Sequence, residues 1–544
     1  MLIRILVASL FISSFATAAD LRVGVSAVDI TPKLCPGKTK YVDFGFMYDK
    51  KRDCFNWIHV AGFSPYYPFS SDNRIAQGVQ SPIWSRALAV QGENGVTTLL
   101  IATDLPGLTW KYVNPIKRRI AKMLAIAYDN ITIQALHDHQ APDAAGYWTT
   151  FIPGHNQPYT DKLKDWIYLS ARQAFASMTQ AKMKVVTTTH YSCINRKTRV
   201  MKKDPDCNIP QSEYDYKENN DYDDWIVQLD MRDPVVRNTR IVAAQFTRPS
   251  GATIATLVNW HNHPELLESS NRLISGDYSH YLREYMEKHL GGTSVFTIGT
   301  LGNQIGGLRD LPVPMWNENF ERVYDPGQFD DNGDPVPKFV KNGVDKIRST
   351  GYEVASEAVK ALNAAGYEEN VDVAVHTEEI ENPVDNFVHE TLTGNVWTWD
   401  VEKKDRMVRT WGGRCGRIRG CVKSDVSLIQ IGSLSFLTAP GEIDPAYFLG
   451  RSASEHDYGG KFGVWKFPAI EGLEGRMPGV HKAMLGQANN YLSYLVPESD
   501  NVGWSNTDHP LHYEELVTIG KKFGDDTYRD LQSLLARARN PRCE

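Results

Sequence analysis

Apolar and polar positions along this chain fall into blocks whose period changes. The run Thr97 to Thr103 (TTLLIAT) is almost wholly apolar, which predicts a buried strand. Val113 to Tyr128 spaces its apolar residues at helical intervals, and Asn130 to Leu136 (NITIQAL) returns to strand character. A long helix is predicted over Asp161 to Met183, then a strand over Met183 to Thr189. Ala252 to Trp260 (ATIATLVNW) is another predicted strand, followed by a helix over Ser279 to His289. Short strands are expected at Ser294 to Gly299 and Ser435 to Thr438, and helices at Ile347 to Ala364 and Asp526 to Arg539. Tyr324 to Pro337, rich in Asp, Gly and Pro, and the acidic Tyr214 to Asp224 are predicted surface loops. This is an α/β mixture with its polar motifs at strand ends, where layered folds form pockets.

Composition narrows the function classes. The 544 residues are 42% hydrophobic and 23% charged, ordinary values for a globular protein. Length alone suggests three or four domains at roughly 150 residues each. The formal charge is −6 with no dominant Lys/Arg run, so nothing points to nucleic acid. Arg4, the apolar stretch Ile5 to Phe15 and Ala16-Thr17-Ala18 read as an export signal over residues 1–19, which predicts a secreted or periplasmic protein. No other stretch approaches a membrane span in length. The seven cysteines include three neighbouring pairs, Cys35/Cys54, Cys193/Cys207 and Cys415/Cys421, with Cys543 left over; sequence does not fix their pairing.

Two His-x-His pairs carry the candidate chemistry, His137-Asp138-His139 and His261-Asn262-His263. Each sits at the end of a predicted strand. Residues i and i+2 of an extended chain share a face, so two imidazoles can converge on one point. Neutral imidazole is a common zinc ligand. Glu442, in Thr438-Ala439-Pro440-Gly441-Glu442, leaves another predicted strand and would complete such a site. A serine-nucleophile elbow, a His-Glu-x-x-His helix and a phosphate loop are all missing from the sequence.

In this order, the pieces resemble the neutral/alkaline non-lysosomal ceramidase family. The carriers are Val23 to Pro32, Gly78 to Leu88, Leu136-His137-Asp138-His139-Gln140-Ala141-Pro142, and Asn259-Trp260 through His263-Pro264 to Ser275-Gly276-Asp277. Pro440-Gly441-Glu442 and Asn489-Asn490-Tyr491-Leu492-Ser493-Tyr494 continue the pattern. The resemblance implies a large catalytic α/β domain over residues 20–544, with central mixed sheets flanked by helices and no C-terminal β-sandwich. It implies a Zn2+ ion held by His137, His263, Glu442 and Tyr494. It implies that His139 and Arg196 face the substrate or its oxyanion, and that Tyr494 assists from the metal. His261 is then a neighbour rather than a ligand.

The implied activity is hydrolysis of an amide in a ceramide-like or N-acylated substrate by metal-activated water. The implied partner is a small or lipid-like acyl amide, with peripheral membrane contact open and the oligomeric state unspecified. One departure stands out: Gly302-Asn303-Gln304-Ile305-Gly306-Gly307 places Ile305 where the family carries a Ser. That leaves open an esterase or lactonase on the same scaffold, or a non-catalytic exported binding protein.

Overall fold

The computed structural model describes residues 20–36, 47–63, 74–146, 148, 156–190, 236–302, 304, 313–329, 333–386, 421–457, 463–501 and 513–539. The predicted signal segment, the Tyr214 to Asp224 loop, Arg196, Ile305, Cys193, Cys207, Cys415 and Cys543 lie outside them.

Three mixed sheets organise the chain. The first runs Ile131–Ala135, Thr97–Thr103, Trp84–Gln91, Arg22–Asp29, Thr179–Gln180. The second runs Thr293–Ile298, Thr253–Trp260, Arg240–Thr247, Lys182–Thr189. The third runs Val373–Pro383, Cys421–Ile431, Leu434–Thr438, His481–Leu485. Each sheet is antiparallel except for one parallel pair at an edge: Thr97–Thr103 with Ile131–Ala135, Thr253–Trp260 with Thr293–Ile298, and Leu434–Thr438 with His481–Leu485.

Both faces of the first sheet are buried, as its apolar runs require. Leu99 and Ile101 pack with Val113, Ile116 and Ile120 of helix Trp110–Leu124 and with Leu163 and Ile167 of helix Gln157–Ala176. Their neighbours Leu100 and Ala102 point the other way, into the core shared with Leu257 and Val258 of the second sheet. Successive strand residues face opposite sides, so one short run serves two cores. Each such aliphatic side chain contributes about 1.5–3 kcal/mol when fully buried. Helices Asp277–Leu290 and Gly343–Ala364 pack with the second sheet through Leu282, Met286, Val354 and Ala358. Helix Phe523–Arg539 lays Leu531, Leu534 and Leu535 against Val426 and Leu428 of the third.

Several predicted boundaries move. The helix expected over Asp161 to Met183 ends at Ala176. Ser177 Oγ donates to the carbonyls of Ala174 and Val25, and Thr179–Gln180 then pairs with Arg22 and Val23, which draws the chain into a sheet. The helix expected over Val113 to Tyr128 spans Trp110–Leu124, because Ala125 turns left-handed with φ 54°. Tyr324 to Pro337 is not an irregular loop: Tyr324–Phe329 and Pro335–Pro337 form an antiparallel ribbon, mostly exposed. Cys35 and Cys54 form a disulfide between Cα atoms 5.1 Å apart. Among the described residues, no helix is long and apolar enough to cross a membrane.

Candidate metal centre

The three parallel pairs deliver the candidate residues. His137 and His139 follow strand Ile131–Ala135, His261 and His263 follow Thr253–Trp260, and Glu442 follows Leu434–Thr438. Buried amides lock these strand ends together. Gln134 Nε2 donates to the carbonyls of Ile298 (2.6 Å) and Gly486 (2.7 Å), which joins all three sheets. Asn259 Nδ2 donates to Thr297 Oγ1 and to the Met484 carbonyl.

His137 has φ 60°, a left-handed conformation uncommon for a residue with a side chain. Such strain persists where the surroundings enforce it, often at functional sites. Here it turns the chain sharply at the strand exit. Two glycines admit close approach. A Cβ on Gly62, at φ +123°, would lie 2.6 Å from the Cβ of His139. A Cβ on Gly441 would lie 2.2 Å from the Ser493 carbonyl, beside Glu442.

The structure brings His137, His139, His263 and Glu442 into one buried cluster. One ligating nitrogen from each of the three histidines lies within 4.8 Å of the others, so the group can hold a metal ion. His137 Nδ1 bonds the Pro106 carbonyl at 2.7 Å, and His263 Nδ1 bonds the Gln304 carbonyl at 2.9 Å. A carbonyl only accepts, so both Nδ1 atoms carry hydrogen, and each Nε2 faces Glu442 either as a lone pair or as a second N–H. Glu442 Oε2 stands 3.0 Å from His263 Nε2 and 3.4 Å from His137 Nε2. Lone pairs there would repel the carboxylate oxygen, so positive charge belongs among them, either as ring protons or as a cation in their place. Zinc bonds of about 2.0 Å at tetrahedral angles place neighbouring donors about 3.3 Å apart. The donor types and their spacing therefore fit a divalent cation.

The charges agree. Burial works to raise the Glu442 pKa, but His137 and His263 outweigh it and hold the carboxyl well below the usual carboxylate range. Burial, reinforced by His137 and His263, pushes the His139 pKa down, which keeps that ring neutral. His261 plays a different part. Its Nδ1 accepts from the Thr300 backbone N–H at 2.9 Å, the reverse of the His263 arrangement. Burial lowers its pKa to about 3, so it serves as a neutral acceptor for the Thr300 backbone.

Tyr494 is the strand partner of Glu442 and is almost fully buried. The ring of Tyr491 lies 5.8 Å from that of His137 and stacks on Trp148 at 5.9 Å. Phe63 meets His139 edge-on at 5.0 Å. Ala61, Ala145, Trp148 and Tyr491 form a small apolar cluster of their own beside the histidines. Sequence reasoning missed Phe63 and Trp148, whose flanks show no periodic pattern. It also missed Glu265, whose Oε2 is 3.2 Å from His139 Nδ1. Its place directly after His263-Pro264 was the available signal.

Residues 64–302 match the family model described as neutral/alkaline non-lysosomal ceramidase, N-terminal. That span contains His137, His139 and His263. A solved neutral ceramidase from Pseudomonas aeruginosa is similar over 96% of this chain and 75% of its own, at 14% identity and a TM-score of 0.60. A ceramidase complexed with C2 is similar over 96% and 76%, at 13% identity and the same TM-score. At such identities the likeness is one of fold. No curated protein sequence matches the chain. The resemblance read from the sequence motifs, and the α/β architecture it implied, are thus both found.

Proposed function

We propose that this chain is an exported, zinc-dependent amide hydrolase acting on a ceramide-like or other N-acylated substrate, with residues 20–544 forming one catalytic domain. The observation that carries this is the convergence of His137 Nε2, His263 Nε2 and Glu442 Oε2, with both Nδ1 atoms committed to backbone carbonyls. Support for the bond cleaved comes from the family match over residues 64–302 and the ceramidase fold.

His137, His263 and Glu442 hold the ion in this reading, with Tyr494 as fourth ligand from the strand beside Glu442. A zinc ion bound there supplies Lewis acidity toward a carbonyl and lowers the pKa of water from 15.7 to about 7. The Pro106 and Gln304 carbonyls fix both ligand rings, and such outer partners are typically worth 10–100-fold in affinity or activity. His139 faces the reacting carbonyl, and Arg196 contributes positive charge to the developing oxyanion. Trp148, Tyr491 and Phe63 exclude water and offer an apolar surface to an acyl chain. The Cys35–Cys54 disulfide suits an oxidising compartment.

The test is product analysis by mass spectrometry on matched panels of N-acyl amides and acyl esters. Release of free fatty acid from the amides supports the reading. Turnover of esters alone would move the assignment to an esterase, and turnover of neither by zinc-loaded protein would remove the hydrolase assignment.

A further inference from the structure

We propose that Glu265 is a positioning residue for His139, fixing both the ring's orientation and its tautomer. The functional consequence rests on the hydrolase reading above; the pairing itself does not.

Glu265 reaches His139 through a short backbone path. It follows His263-Pro264, and its own N–H donates to the His263 carbonyl at 3.0 Å, which folds the carboxylate back toward the site. The His139 N–H donates to the Pro264 carbonyl at 3.0 Å, so the two segments are pinned one residue from the pair. Arg74, itself buried, donates through Nη1 to the His139 carbonyl at 2.7 Å and also holds the Ala61 carbonyl. Gly62 lies against the ring's Cβ on another side. The imidazole is thus set from its backbone, and its remaining freedom is rotation of the ring.

Glu265 Oε2 lies 3.2 Å from His139 Nδ1, with both side chains more than nine-tenths buried. At that distance the approach is too oblique for a hydrogen bond, and Nδ1 makes none among the described residues. Hydrogen bonds of this kind are often loose without substrate and tighten in the complex. When this contact closes with Glu265 ionised, the carboxylate accepts, the hydrogen sits on Nδ1 and the lone pair is left on Nε2. Nε2 is buried and likewise makes no hydrogen bond among the described residues. The Glu265 carboxylate therefore presents His139 beside the reacting carbonyl as a proton acceptor rather than as a donor to the oxyanion, which leaves oxyanion stabilisation to Arg196 and the ion. Without it, the ring is free to carry its hydrogen on Nε2 and to act as a donor instead. His137 and His263 gain their orientation from neutral carbonyls; His139 alone of the three has a carboxylate at Nδ1.

The experiment compares parent, Glu265→Gln and Glu265→Ala, each zinc-loaded and labelled with 15N-histidine. The ring resonances of His139 are identified by their loss in His139→Asn. The expected result is an Nδ1–H tautomer in the parent that gives way to the Nε2–H form in Glu265→Ala. Zinc content should be unchanged in both variants, and kcat should fall by about tenfold or more with KM within twofold. Glu265→Gln keeps the side-chain volume, so it separates tautomer control from packing. An unchanged His139 tautomer in both variants would overturn the proposal. So would a fall in zinc content, because Glu265 would then be a ligand. Should the parent cleave no acyl amide, the hydrolase reading fails while the tautomer comparison still decides the pairing.

Discussion

His263 and Glu442 meet at 3.0 Å although 179 positions separate them in the chain. Each leaves the carboxyl end of a strand that runs parallel to its edge neighbour, in two different sheets. His137 arrives in the same way from a third sheet. The centre is therefore a property of how three sheets are joined.

Gln134 should bear much of that joining. Gln134→Ala removes donors from the buried carbonyls of Ile298 and Gly486. Ile298 O retains the Gly486 N–H, whereas Gly486 O loses the Gln134 donor. An orphaned buried polar group costs about 1–3 kcal/mol, so urea unfolding should show a loss of about 2 kcal/mol or more. A variant as stable as the parent would mean the sheets are held elsewhere.

Gly62 should separate positioning from metal binding. In Gly62→Ala the new Cβ meets Cβ, Cγ and Cα of His139, all within 2.9 Å, rather than a ligand of the ion. A displacement of about 1 Å at a reacting group can cost about 100-fold in rate. The variant should lose activity on that scale and keep its zinc, as read by steady-state kinetics beside metal analysis. Parent-like kcat would show that His139 is dispensable or that the turn yields.

Asp277 should give the protein a pH-dependent stability. It opens helix Asp277–Leu290, and burial pushes its pKa up to about 6 despite backbone hydrogen bonds from Tyr278 and Leu267. The folded state thus binds this proton more tightly than the unfolded chain, whose carboxyl titrates near its ordinary value of about 3.9. The stabilisation is full below about pH 4 and is lost as pH rises through about 6. Two units correspond to about 3 kcal/mol at this fully buried site. Chemical denaturation between pH 4 and 7 should show that decline, and Asp277→Asn should flatten it. Asp138, whose pKa burial also raises, leaves a residual slope. An identical pH profile for parent and variant would contradict the assignment.

Local pattern was enough to locate much of this architecture. The strand Thr97–Thr103 appears with its predicted ends because both of its faces are buried and the whole run is apolar. The pairs His137/His139 and His261/His263, and Glu442, stand out because each ends such a run, whereas the choice of His263 over His261 rests on the family resemblance. What local pattern does not carry is contact across distance. The helix before Ser177 overran because its end depends on pairing with Arg22 and Val23, far earlier in the chain. Glu265, Trp148 and Phe63 escaped notice because their neighbours are histidines brought in by other strands. Choosing between Tyr491 and Tyr494 is of the same kind: one packs against His137, the other pairs with Glu442.

The central claim is that two imidazoles and one carboxylate hold a metal ion. Elemental analysis of purified protein, re-equilibrated with zinc, tests it most directly when set beside Glu442→Ala. The account predicts about one tightly held zinc per parent chain, consistent with a single three- or four-ligand site, and loss of most of it in the variant with the fold retained. Parent protein that binds no zinc, or a Glu442→Ala variant that binds as much as the parent, would contradict it.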